Sequence, residues 1–106
     1  MVKKNTCIFI SGRGSNLKNL IKKTRDYNFP IKIKLIICNN KNALGITFAK
    51  KNFIPYLIID TKIRTFENQI LSLIKKHKIS LICLAGYMKI ISKRFLRDYG
   101  KNIINI

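Results

Sequence analysis

Apolar residues in this chain come in short unbroken runs separated by stretches of helical period. Residues 6–10, 31–38, 56–59, 80–85 and 103–106 are rich in isoleucine and other strand-favouring types, and each reads as a strand. Between them, Leu17, Leu20, Ile21 and Thr24 mark one face of a first helix. Phe48 and Ala49 belong to a shorter second helix ended by Asn52. Phe66, Ile70, Leu73 and Ile74 mark a third, with Lys75, Lys76 and Lys78 in its last turn, where cations suit the helix dipole. Residues 90–99 hold a fourth, stopped by Gly100. Near-continuous apolar strands alternating with amphipathic helices predict an α/β fold with a doubly wound, mainly parallel sheet. The 106 residues fill one domain and show no repeat or linker.

In such a sheet, ligands sit beyond the carboxyl ends of the strands, where strand order reverses. The exits are therefore the candidate sites: residues 12–16 after the first strand, Asn39 and Asn40 after the second, Asp60 and Thr61 after the third, and residues 86–89 after the fourth. Asn105 lies in the fifth strand. The first exit, Ser11-Gly12-Arg13-Gly14-Ser15-Asn16, carries the strongest signal. Glycines let the backbone approach an anion, the N–H groups of the next helix point toward it, and Ser15 is expected to cap that helix. A tight strand-to-helix turn with no ligand is the alternative. A dinucleotide fingerprint wants a third glycine where Leu17 stands and an acid after the second strand, where Cys38-Asn39-Asn40 occurs. No Gly-Lys-Ser/Thr follows, so a triphosphate loop is excluded too. The turn reads as made for a single phosphate.

Composition adds a net charge of +18, with 22 basic residues against four acids. Charge of this size raises the possibility of nucleic-acid binding. Isoleucine, lysine and asparagine, however, make up 49 of the 106 residues, share adenine- and thymine-rich codons, and put no more than two lysines in a row. Codon bias accounts for the excess, and no dedicated nucleic-acid face is expected; the charge would still steer small anions inward. Cys7, Cys38 and Cys83 each lie in an apolar run, in no metal-ligand spacing, and read as small core residues of a reducing, cytoplasmic protein. No metal site is expected. No segment has the length of a signal sequence or a membrane span.

Taken together, I-S-G-R-G-S-N-L at 10–17, C-N-N-K at 38–41, L-A-G-Y-M-K-I-I at 84–91 and I-I-N-I at 103–106 resemble the N-terminal half of glycinamide ribonucleotide formyltransferases, over essentially the whole chain. Lys89 stands where the family usually has arginine, and Tyr87 where it has phenylalanine. The resemblance implies a Rossmann-like formyltransferase fold, truncated at its C-terminus, with 1–106 as the N-terminal part of one formyltransferase domain. It implies that Gly14, Ser15 and Asn16 bind the phosphate end of glycinamide ribonucleotide. Met88, Lys89, Ile90 and Ile91 would line the pocket for the co-substrate 10-formyltetrahydrofolate, largely through backbone groups, and Asn105 would hold the formyl oxygen. An arginine at the start of the third helix is also implied for the folate. Aligning on Phe66 puts Ile63 at that position and Arg64 one residue later, so Arg64 is the candidate. As alternatives, Met88 and Ile90 are core residues and Lys89 is a solvated charge.

The family pattern continues past the last strand with a catalytic histidine, and a later aspartate tunes it; neither is among these 106 residues. His77, the one histidine, falls at the lysine-rich end of the third helix and is expected to be exposed there. The expectation is a chain that binds substrate but transfers formyl groups poorly on its own, as a gene fragment or as one part of a split enzyme completed by a C-terminal half. The competing expectations are a ligand-binding pseudoenzyme and a basic nucleic-acid-binding module.

Overall fold

The computed structural model describes residues 2–106. Strands and helices alternate as β1 (Lys4–Ile10), α1 (Ser15–Thr24), β2 (Ile31–Cys38), α2 (Gly45–Lys51), β3 (Tyr56–Ile58), α3 (Phe66–Lys76), β4 (Leu81–Leu84), α4 (Lys93–Tyr99) and β5 (Asn102–Asn105). The strands form one sheet in the order β3-β2-β1-β4-β5, and every pairing is parallel. The chain moves outward from β1 through β2 to β3, then returns to the other side of β1 for β4 and β5. Strand order therefore reverses between β1 and β4, the position at which open α/β sheets bind ligands.

Alternation of side chains divides the interior into two layers. Cys7 and Phe9 of β1, Leu35 and Ile37 of β2 and Ile82 of β4 face Ile70 and Ile74 of α3 and Phe95 and Tyr99 of α4. Their neighbours Ile8, Ile10, Ile36, Cys38 and Cys83 face Leu17 and Ile21 of α1 and Ile46 and Ala49 of α2. With both faces covered, β1 and β2 need apolar side chains at consecutive positions, which is why they read as unbroken runs. All three cysteines are buried free thiols, and burial raises their pKa values.

The structure corrects several boundaries. β3 and β4 are shorter than the apolar runs that contain them, and β5 is shifted one residue toward the N-terminus. The first helix is capped not by Ser15 but by Gly14, with φ 73°, and no side chain bonds that helix start. The fourth helix begins at Lys93, because Ser92 is held in an extended conformation (φ −71°, ψ 153°) and accepts the Phe95 N–H on its Oγ (3.0 Å). That leaves Ile90 and Ile91 outside the helix. His77 is half-buried rather than exposed, as the C-cap of α3. Because α3 leads into β4, this end of the helix lies at the edge of the sheet where strands begin, away from the exits.

Candidate functional site

The exits of β1 and β4 lie side by side, since Phe9 pairs with Leu84 and the Ala85 N–H donates to the Phe9 carbonyl (2.9 Å). Between them is a cleft of about 130 Å³, lined by residues 12–16 with Ala85 and Gly86. Its floor is the start of α1, where the first amide to find a helical acceptor is that of Lys18, on the Gly14 carbonyl (2.8 Å). The amides before it are the unpaired donors that every helix start presents. No acid stands in the first turn of α1, and Arg13 is the charged residue on the rim. Amides, a serine, an asparagine and an arginine around a small cleft suit an anion of about phosphate size.

The two glycines of the turn have different reasons to be glycine. Gly14 has positive φ, and a Cβ there would lie 2.6 Å from the Gly45 Cα. Gly45, at the start of α2, is equally confined: its own Cβ would strike the Ile10 Cδ1, and its N–H donates to the Gly12 carbonyl (3.3 Å). Backbone packing between the starts of α1 and α2 thus accounts for Gly14, where the sequence alone suggests an approach to ligand. A Cβ on Gly12, by contrast, would meet nothing within 4 Å, so the side of the turn open to a ligand is at Gly12.

Beyond β4 the chain turns at Gly86 (φ 74°) into the segment expected to meet a folate. Met88 is 79% and Ile90 95% exposed, which overturns their reading as core residues. Lys89 is exposed as well, and Ile91 is half-buried. Among the described residues, none bonds to the backbone of Lys89, Ile90 or Ile91, so their N–H and C=O groups are free for a ligand, as a pocket built on backbone contacts requires. Tyr87 anchors the segment edge-on to Phe9 (centroids 5.2 Å, planes 86° apart). Burial, aided by Glu67, pushes its hydroxyl up to about 12. Behind the segment, the Ser92 hydroxyl donates to Glu67 Oε1 (2.7 Å), tying the start of α4 to the start of α3.

Asn105 is exposed at the last position of β5, opposite Leu84, and by strand alternation it shares a face with Ile103. Gly14, Ser15, Asn16, Met88, Lys89, Ile90, Ile91 and Asn105 thus all belong to strand exits on one edge of the sheet. Arg64 is exposed in the turn before α3, just ahead of its N-cap Thr65. The exits of β2 and β3 form a separate cleft of about 490 Å³ that includes Asn39, Asn40, Asp60 and Thr61. Sequence reasoning missed Gly45 and Ser11. Gly45 sits in a helical pattern with nothing to show what faces it. Ser11 is buried, and its Oγ accepts the Met88 N–H (2.8 Å), a contact across 77 residues that no local pattern carries.

A model of the family described as "Formyl transferase" matches residues 4–106. The chain belongs to the formyl transferase family. It is 33% identical over 107 residues to the phosphoribosylglycinamide formyltransferase of Bacillus subtilis, covering 97% of this chain and 55% of that one. It is 32% identical over 108 residues to the human trifunctional purine biosynthetic protein adenosine-3, covering 98% of this chain and 11% of that one. The crystal structure of phosphoribosylglycinamide formyltransferase from Brucella melitensis superposes with a TM-score of 0.90 at 33% identity, over 97% of this chain and 56% of that one. The chain therefore has the Rossmann-like formyltransferase fold and matches the N-terminal part of phosphoribosylglycinamide formyltransferases. It spans about half the length of these single-function relatives. Among the described residues, no group of three or more His, Cys, Asp or Glu is placed to hold a metal, and no helix is long and apolar enough to cross a membrane.

Proposed function

We propose that this chain carries the phosphate site and part of the folate site of a glycinamide ribonucleotide formyltransferase in purine biosynthesis, in the cytoplasm. The observation that carries the reading is the cleft at the β1/β4 reversal, where an anion-suited turn faces Ala85 and Gly86 and a segment of free backbone follows them, in a chain of this family. Gly14, Ser15 and Asn16 would hold the phosphate of glycinamide ribonucleotide. Residues 88–91 would hold the formyl-folate, with Arg64 near enough in sequence to the start of α3 to meet its acidic end. The formyl-folate supplies the one-carbon group. As the substrate amine attacks the formyl carbon, oxyanion character develops on the formyl oxygen, and the side-chain amide of Asn105, exposed at the end of β5, would donate to it. The C–N bond to the folate then breaks as the folate nitrogen takes up a proton, and the attacking amine loses its own.

That proton needs an acceptor. The one histidine of the 106 residues, His77, caps α3 at the opposite edge of the sheet, and on this reading the acceptor comes from outside residues 1–106. General acid–base help is typically worth about 10²–10⁴-fold. We therefore expect 1–106 by itself to bind substrate and turn it over negligibly, with a C-terminal half supplying the rest.

Calorimetric titration with glycinamide ribonucleotide tests the reading. Binding should weaken in Ser15→Ala by about 1.5–3 kcal/mol, the range for a hydrogen bond to a charged group. Gly12→Val should abolish it without unfolding the chain. Undiminished binding in both variants would overturn the phosphate assignment, and turnover by 1–106 at the rate of the complete Bacillus subtilis relative would overturn the division of labour.

A further inference from the structure

One side-chain hydrogen bond joins the two loops of the cleft, and it involves neither a proposed phosphate-binding nor a proposed oxyanion residue. We propose that Ser11 is a positioning residue: its hydroxyl sets the 87–91 segment in register with the phosphate turn, so that the two substrates are held at a fixed offset. This rests on the reading of that segment as the folate contact.

Ser11 is 8% exposed, at the first position past β1, and its Oγ accepts the Met88 N–H at 2.8 Å. The segment it holds has little else to fix it. Gly86 supplies a left-handed bend with open space around it. Met88 and Ile90 project into solvent, so packing does not hold them. The Tyr87 ring rests on Phe9, but a ring contact leaves the following backbone free to swing. At its far end Ile91 is half-buried against the core, followed by Ser92, bound to Phe95 and Glu67 at the start of α4. Within residues 87–91, the Met88 N–H is the one backbone group that hydrogen-bonds to another described residue. The phosphate turn, by contrast, is fixed independently through the Gly12 carbonyl and Gly45. Loss of the Ser11 hydroxyl therefore frees one loop and spares the other. A serine that merely fills space under the sheet would not make that distinction.

The test uses isotope-labelled 1–106 as wild type, Ser11→Ala and Ser11→Thr. Hydrogen exchange of the Met88 amide is followed by NMR without ligand, and binding of 5-formyltetrahydrofolate and of inorganic phosphate is titrated separately. In Ser11→Ala, protection of the Met88 amide should fall about tenfold, the scale of one hydrogen bond, while the Ala85 amide keeps its protection. Affinity for 5-formyltetrahydrofolate should fall by about the same factor, and affinity for phosphate should stay within about twofold. Ser11→Thr, which keeps the hydroxyl, should restore folate affinity. Unchanged exchange at Met88 in Ser11→Ala would overturn the proposal. So would equal losses for both ligands, or faster exchange with folate affinity intact. A wild-type chain that fails to bind 5-formyltetrahydrofolate while Met88 is still released in Ser11→Ala would instead overturn the folate reading of the segment.

Discussion

Replacing Gly14 with alanine should damage the fold far more than the same change at Gly12, two residues earlier. At Gly14 two costs combine. The residue sits at φ +73°, where a left-handed conformation costs an L-residue roughly 1–2 kcal/mol. The added Cβ would also lie 2.6 Å from the Gly45 Cα, a backbone atom that can retreat only if the start of α2 moves. Overpacking of this kind typically costs about 1–3 kcal/mol. The combined loss of about 2–5 kcal/mol is a large part of the roughly 5–15 kcal/mol that stabilises an ordinary domain. At Gly12 a Cβ meets nothing within 4 Å and no positive φ is imposed, so Gly12→Ala should stay within about 0.5 kcal/mol of wild type. Urea denaturation followed by circular dichroism measures both. A Gly14→Ala midpoint indistinguishable from wild type would show that α1 and α2 are not packed backbone to backbone. Equal losses at the two positions would show that Gly12 does not face an open cleft.

Ser92→Ala should destabilise the chain by about 1–2 kcal/mol in the same assay, because the hydroxyl caps α4 and also donates to Glu67; a neutral result would remove it as the link between α3 and α4. Burial pushes the hydroxyls of both Tyr87 and Tyr99 up to about 12, against 10 for an ordinary phenol. The folded chain then keeps protons that the unfolded chain releases, so this contribution to stability is complete below about pH 10 and is lost as pH rises toward 12. Phenolate absorbance of wild type against Tyr87→Phe and Tyr99→Phe checks it, and titration of either phenol near 10 would contradict the burial. Asp98, exposed between Arg94 (3.5 Å) and Arg97 (3.6 Å), should change stability by less than about 1 kcal/mol as Asp98→Asn; a larger loss would mean that these surface pairs act as a network.

Much of this architecture was legible in the residues because burial on both faces of a parallel sheet leaves a plain trace. Ile31–Cys38 could be read to the residue, and Leu17, Ile21, Ile70 and Ile74 fall on the buried helix faces that their spacing marks. α4 starts later than its apolar pattern suggests: Ile90 and Ile91 continue an apolar run, while the extended backbone at Ser92 is decided by bonds to Phe95 and Glu67, the latter from a different helix. Ser15 has the chemistry of an N-cap, but the left-handed turn at Gly14 takes that position. In the site, the glycine-rich turn announced itself, but the purpose of each glycine did not. That depends on what lies opposite, and Gly45 is 31 positions away in sequence. The bond from Ser11 to Met88 was invisible for the same reason.

The central place of β1 in the sheet also sets a schedule for synthesis. Of these five strands, the first to be made is the one that must be flanked on both sides, and its two neighbours do not arrive together. β2 is complete at Cys38, but β4 is not complete until Leu84. At about 5–20 residues per second, the far edge of β1 waits roughly 2–9 s for its partner after β2 is complete, and α4 reaches Cys7 and Phe9 later still. An apolar strand with an open edge is a hazard for a nascent chain. The dense positive charge, of no evident use to the folded core, would keep such half-made sheets apart from one another during that interval.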